Sequence, residues 1–406
     1  MKLRVAVVSA FYSEGMGYTE NCLPKFLAAM GHDVHVFTSA YNVYGNEPDY
    51  SRIYESFLGP AVQPVGTYRS SGYTVHRLPS RLLSGYVWLP TLWRTMAKVR
   101  PDVVHSLEHG SLLTFCVAAL RPLLGFSLFT ESHQHLSVVK PYLREPGHIL
   151  KKAGYWLTRT LPGWTAARAV DRCFAIAPDC AEVARRYFGV PASKITMQSL
   201  GADTQLFRPP LSADDAAERT TKRAALGYGN DDIVCVYTGR FSAAKNPALL
   251  AEALAELVRE GKPVRGLFVG EGPQRSDIER HPHCQILPFM RHRDLAEVYR
   301  AADIAVWPRE ESMSMIDAAA SGLPLIGSDR LGESERLEGS GYAYRENDAS
   351  SLADAIRALC DPVLRAQLGE RGVSKMRQSF NWEKVAASVS DIYERTRLLR
   401  TEKATR

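Results

Sequence analysis

Long hydrophobic runs are missing from this chain, and no apolar stretch reaches the roughly 18 residues that a membrane-spanning helix needs. Cysteines are few: the seven are scattered, odd in number and without a C-x-x-C pair, so neither a disulfide framework nor a zinc site is indicated. They read as reduced, mostly buried thiols of a cytoplasmic protein. No arginine-rich cluster interleaved with aromatics occurs, which speaks against nucleic acid as a partner. Repeats of fixed period and low-complexity segments are absent too. The opening MKLRVAVVSAFYSEGMG has too short an apolar stretch for a leader and no small-residue cleavage site, and reads as a first buried strand.

What is present is an average globular composition over 406 residues, 45% apolar and 23% charged, enough for two large domains. Charge is uneven. Residues 1–200 carry 21 Lys and Arg against 13 Asp and Glu, whereas the remainder carries 29 against 31. A basic excess confined to one half predicts an anionic partner for that half, such as a membrane surface. Short β-branched runs alternate with longer helix-period segments in two series, Val5 to Ser199 and Ile233 to Tyr344. That is the pattern of α/β domains with parallel sheets covered on both faces. The boundary is expected near residues 200–227, where Arg208-Pro-Pro interrupts regular structure. Phe380–Arg397 reads as a terminal helix with Trp382, Val385, Val389 and Tyr393 on one stripe.

Four loops hold candidate chemistry. After the first strand, Gly15 and Gly17 form a G-x-G ahead of a helix, suited to a backbone anion cradle or simply to a tight turn. Position 20 is Glu rather than a third glycine, which disfavours a nicotinamide cofactor. In Tyr237-Thr-Gly-Arg-Phe-Ser-Ala-Ala-Lys-Asn-Pro, Arg240 and Lys245 flank the end of a strand, as a diphosphate site requires, unless they are solvated surface charges. In Trp307-Pro-Arg-Glu-Glu-Ser-Met-Ser-Met-Ile-Asp, an acidic loop precedes a helix starting around Met313–Asp317. Its acids suit sugar hydroxyls or, alternatively, cap the helix. Phe129-Thr-Glu-Ser-His-Gln-His carries His133 and His135, as ligand-facing imidazoles, metal ligands or plain loop residues. His105 and His109 read as acceptor-pocket linings, and His281 and His283 as solvated surface residues.

Together, in this order, the motifs resemble the retaining, two-lobed (GT-B) glycosyltransferases of glycosyltransferase family 4, also called group 1. GADTQLFRP, YTGRFSAAKNP, FVGEGPQRSDIE, LPFMRHRDLAEVYRAADIAVWP and FNWEKVAASVSDIYE carry the likeness with the glycine loop. The resemblance implies two facing Rossmann-like α/β domains with an interdomain cleft. Residues 1–200 plus a C-terminal helix, 380–406, crossing back would bind the acceptor; residues 201–379 would bind a UDP- or GDP-sugar. It implies that Arg240 and Lys245 hold the donor diphosphate, with Gly15 and Gly17 closing on it. Phe289 and Met290 would lie along the base, Glu311 (or Glu310) on the donor sugar and Asp317 on the ribose, with Ser312, Met313 and Ser314 also binding the donor. A neutral His133, with His135 second, would face the sugar. The leaving diphosphate would take the acceptor's proton, with no metal or other cofactor, and no D-x-D motif stands at a donor loop. The acceptor would be a glycan, a lipid-linked or a small-molecule hydroxyl. Two departures stand: Glu311 and Asp317 are six apart where the family has eight, and Met313-Ser314 replaces Phe-Gly. A nucleotide-sugar epimerase of the same fold and a degenerate sugar-nucleotide binder are the competing readings.

Basic stretches cover Arg81–Arg100 and Lys140–Arg172. Within the second, Ile149, Leu150, Ala153, Trp156, Leu157 and Leu161 share one helical face, with Lys151, Lys152 and Arg159 off it. The first expectation is that this stripe packs inward; the other is that it rests on a membrane, making the protein peripheral at the inner face.

Overall fold

A computed structural model describes residues 1–83, 86–136, 139, 149–332 and 334–405. The chain divides into two compact units, Met1–Leu200 with Trp382–Arg406, and Gly201–Asn381. The boundary lies at the very start of the expected stretch. Arg208-Pro-Pro belongs to the second unit, because Arg208 is locked to Asp215 at 2.7 and 3.0 Å beside a helix, Ala213–Ala225, capped by Ser212.

The first unit is built on β1 (Arg4–Val8), β2 (Asp33–Ser39), β3 (Gly66–Ser70), β4 (Tyr73–Leu78), β5 (Arg81–Leu83), β6 (Tyr86–Trp88), β7 (Val103–Ser106), β8 (Ser127–Ser132), β9 (Arg172–Ala175) and β10 (Ile195–Met197). Eight of them form one sheet in the order β10-β9-β8-β7-β1-β2-β4-β3, and β5-β6 make a separate hairpin. All pairings in the sheet are parallel except β3 with β4. Continuous burial along β7 and β8 follows from helices on both faces. Val8, Phe37, Met96, Val104, Phe126 and Leu128 belong to its main core cluster. The last helix, Trp382–Thr405, is part of this unit and buries Trp382, Val385, Val389 and Tyr393.

The second unit has β11 (Ile233–Thr238), β12 (Val264–Val269), β13 (Cys284–Leu287), β14 (Ile304–Trp307), β15 (Leu325–Ser328) and β16 (Gly341–Tyr344), all parallel, in the order β13-β12-β11-β14-β15-β16. Both units are therefore Rossmann-like.

The apolar stripe from Ile149 to Leu161 does not pack inward. Ile149, Leu150, Trp156, Leu157 and Leu161 are exposed by 82%, 88%, 50%, 62% and 40%. Small residues explain the difference. The helix Leu161–Ala169 turns Pro162, Gly163, Ala166 and Ala167 to the interior, and a π-helical turn spans Trp156–Thr160 just before it. A Cβ on Gly163 would lie 2.9 Å from the Phe188 ring, so this contact admits no larger side chain. Residues 140–148 of the same basic stretch lie outside the described residues.

Candidate active site

In the second unit β11 has β12 on one side and β14 on the other, so the winding reverses between β11 and β14. A parallel sheet opens a crevice beyond the strand ends at such a point. The loop after β11 is clamped onto the loop after β12. Gly239 and Gly270 sit at φ +146° and +150°, and a Cβ on Gly270 would come within 1.9 Å of the Gly239 carbonyl oxygen. Phe241 N–H donates to Glu271 O at 2.9 Å, and the Arg240 carbonyl accepts the Tyr237 hydroxyl at 2.8 Å.

From this loop Lys245 reaches the one after β14. Its ammonium donates to the Glu311 carbonyl at 2.6 Å and lies 3.3 Å from Glu310 Oε2. Ser312 caps the helix Met313–Ala320, its Oγ accepting from Ser314 N–H at 3.3 Å, while Arg336 holds the Ser312 carbonyl at 3.1 Å. The Glu311 carboxylate accepts the Gly332 N–H. Arg240, Lys245, Glu310, Glu311, Ser312, Met313 and Ser314 thus share one strand-end edge, and half-buried Phe289 and Met290 follow β13 on the same edge.

Asp317, expected on the ribose, is buried and paired. It is 4% exposed and lies 2.8 Å from His292 Nε2. The loop after β14 ends at the Ser312 cap, so Asp317 falls a full turn inside the helix, where its carboxylate faces the interior.

In the first unit the corresponding reversal lies between β1 and β7. Gly15 and Gly17, at φ +81° and +67°, form the turn between β1 and the helix Thr19–Ala29. After β7, Glu108 holds a strained φ of +152° and binds Arg159 and, at 2.6 Å, Gln134 Nε2. After β8, His133 Nε2 is bonded to Glu131. Burial disfavours the charged imidazole, but Glu131, Glu20 and Glu108 outweigh it and raise the pKa of His133. Burial pushes the Glu20 carboxyl up to about 7.

His105 and His109 are 0% and 1% exposed: one lies beside Tyr393 and Glu131, the other binds Thr130 and the Gly163 carbonyl. His283 is buried rather than solvated. His135, with Asp179 and Cys180, forms a trio of metal-ligating types, but Asp179 already takes His135 Nδ1 at 3.1 Å and the Leu136 N–H at 3.0 Å. Glu20, Glu108, Glu131 and Arg159 were not legible as site residues. Glu108 and Glu131 follow or end apolar strands, the one signal that marked them.

Residues 23–206 match the model of Glycosyltransferase Family 4, and residues 232–361 match that of Glycosyl transferases group 1. The chain belongs to the family 4, or group 1, glycosyltransferases. Within the family, it is 31% identical to a D-inositol 3-phosphate glycosyltransferase of Saccharomonospora viridis over 52% of each chain, so the match spans about half that relative. It is 26% identical to a Streptomyces coelicolor protein of the same name over 91% of this chain and 84% of the other. Among solved structures, sucrose-phosphate synthase from Thermosynechococcus elongatus aligns over 97% of this chain and 99% of its own at TM-score 0.68 and 23% identity. Anabaena HepE in complex with UDP-glucose covers the same shares at TM-score 0.67 and 15% identity. Such likenesses establish the two Rossmann-like folds of this glycosyltransferase-family chain.

Proposed function

We propose that this chain transfers a sugar from a nucleoside-diphosphate sugar to an acceptor hydroxyl with retention at the anomeric carbon. The observation that carries the reading is the placement of Lys245 on the acidic loop after β14, at the switch point of the second unit. An ammonium there, with Arg240 on the same loop, is positioned to balance the charge that grows on a departing diphosphate. The start of the helix Met313–Ala320 adds backbone N–H groups and a favourable dipole. Glu311 or Glu310 would take donor-sugar hydroxyls.

In the first unit, a protonated His133 would donate to a sugar or acceptor hydroxyl rather than act as a base. The amides of the Gly15–Gly17 turn would serve an oxyanion. Fixed cations do here what a divalent ion does elsewhere, so transfer is expected to survive EDTA.

The test is a thermal-shift screen with UDP, GDP and ADP and their sugars, since a ligand of the native state alone raises its melting point. UDP-sugars come first because HepE was crystallised with UDP-glucose. A hit should then transfer its sugar, and the anomeric configuration of the product read by NMR should match that of the donor. Lack of any nucleotide shift would overturn the reading.

A further inference from the structure

We propose that the helical segment Trp156–Trp164 of the first unit docks on an anionic lipid bilayer, lying in its interface. A soluble surface seldom gathers large apolar side chains in one place without a partner for them. Here Trp156, Leu157, Leu161 and Trp164 are exposed by 50%, 62%, 40% and 51%. Leu157, Leu161 and Trp164 are spaced four and three apart, along one face. Trp156, Thr160, Leu161 and Trp164 also line, with Arg186 and Tyr187, an open groove of about 370 Å³.

The hairpin β5-β6 extends this surface. The Tyr86 hydroxyl is 2.6 Å from Thr158 Oγ1, and the Arg159 guanidinium lies over the Tyr86 ring at 5.1 Å. Beside that junction Leu83 and Trp88 are exposed by 51% and 39%.

Charge decides what covers the surface. Residues 149–194 carry eight Lys and Arg against three Asp and Glu. Arg168, Arg185 and Arg186 are exposed on the helices that form the groove or flank it. Indoles among aliphatic side chains, with exposed Arg168 and Arg185 nearby and Arg186 paired to Glu182 at 3.3 Å, match the boundary between acyl chains and anionic headgroups. A protein partner would need acidic residues around its own apolar patch, whereas a bilayer supplies both properties at once. Among the described residues no helix is long and apolar enough to cross a membrane, so the segment would lie on the surface.

The inference does not depend on the proposed reaction, and its readout is binding alone. The full chain is floated on a density gradient with vesicles of phosphatidylglycerol and phosphatidylcholine in equal parts, or of phosphatidylcholine only. Flotation is expected with the anionic vesicles, weakening several-fold at high salt and without the anionic lipid. The double variant Trp156→Ser, Leu157→Ser should bind about tenfold more weakly with little change in melting temperature, because both side chains are at least half exposed. Arg168→Glu with Arg185→Glu should remove the preference for anionic lipid. The proposal is overturned if the chain stays in the soluble fraction with both vesicles or the serine variant floats like the parent. It is equally overturned if sedimentation shows that the surface pairs two copies and no vesicle binds.

Discussion

Glu131 binds His133 Nε2 through one carboxylate oxygen and lies 3.0 Å from Nε2 of the fully buried His105 through the other. His105 Nδ1 meets the hydroxyl of Tyr393 on the last helix. A line of polar groups therefore runs from that helix through the core of the first unit to the loop that carries His133.

Burial alone would oppose charge on Glu131 and on His133. The imidazoles nevertheless hold Glu131 down to about 2, and Glu131 with Glu20 and Glu108 raises His133. The signs follow by linkage. The histidine's contribution to stability is fully present below its ordinary value of about 6.5 and is lost as pH rises through the raised one. The carboxylate's contribution is present above the ordinary Glu range and is lost as pH falls towards about 2. Glu131→Gln is expected to lower the His133 pKa in an NMR titration and to flatten the alkaline fall in urea stability. An unmoved histidine resonance would refute the assignment.

Arg240→Ala and Lys245→Ala should each leave the melting temperature of the chain unchanged and cut sugar transfer by about 10²–10³-fold, the usual cost of losing a preorganised charge at a leaving group. Near-normal turnover in either variant would remove the diphosphate site.

Much of this was legible in advance, for identifiable reasons. Runs such as Ile233–Thr238 and Val103–Ser106 are buried on both faces, and a continuous apolar run with no polar alternation has few other uses. The β3-β4 hairpin is hidden because polar runs, Arg69-Ser-Ser and His76-Arg, break both a continuous apolar pattern and a strict alternation, and its turn, Ser71 and Gly72 at φ +46° and +90°, is Ser-Gly rather than Asn-Gly or Asp-Gly. The loop lysine and the acidic loop could be placed together by strand order. That Asp317 turns inward to His292 could not, because the position of the Ser312 cap sets which turn it occupies. The outward stripe at Trp156 and Leu157 sits on a π-helical turn, which leaves no mark in the hydrophobic period.

Arg223 offers a test of the second unit's scaffold. It is 4% exposed and donates to Asp303 at 2.9 Å and to the carbonyls of Gly229, Asp232 and Ala301. Asp303 in turn accepts the Val234 N–H at 2.9 Å, tying the network to β11. Without Arg223, Asp303 keeps Arg219 at 2.7 Å, but the carbonyls of Gly229, Asp232 and Ala301 lose a buried donor, at about 1–3 kcal/mol. Arg223→Ala should lower the denaturant midpoint accordingly, and calorimetry should show Gly201–Asn381 melting ahead of the first unit. A single unshifted transition would contradict this.

The last prediction separates backbone strain from the geometry of the crevice by comparing two glycines of the second unit. Gly270 and Gly261 both hold positive φ, +150° and +80°, so an alanine at either is strained, by about 1–3 kcal/mol. Their surroundings differ. Around Gly261 nothing lies within 4 Å of an added Cβ, whereas at Gly270 the added atom would sit 1.9 Å from the Gly239 carbonyl oxygen. Backbone cannot swing aside as a flexible side chain can, so the loops after β11 and β12 must separate. Arg240 follows Gly239 directly and would move with it. Gly270→Ala is therefore expected to weaken nucleotide binding by about tenfold or more, beyond what its stability loss explains, since a displacement of about 1 Å in a positioning group is already costly. Gly261→Ala should lose a similar amount of strain energy and keep nucleotide affinity. Calorimetric titration with the nucleotide from the thermal-shift screen, alongside urea unfolding, measures both. Equal affinities in the two variants would mean that the pressed loops do not set the position of Arg240.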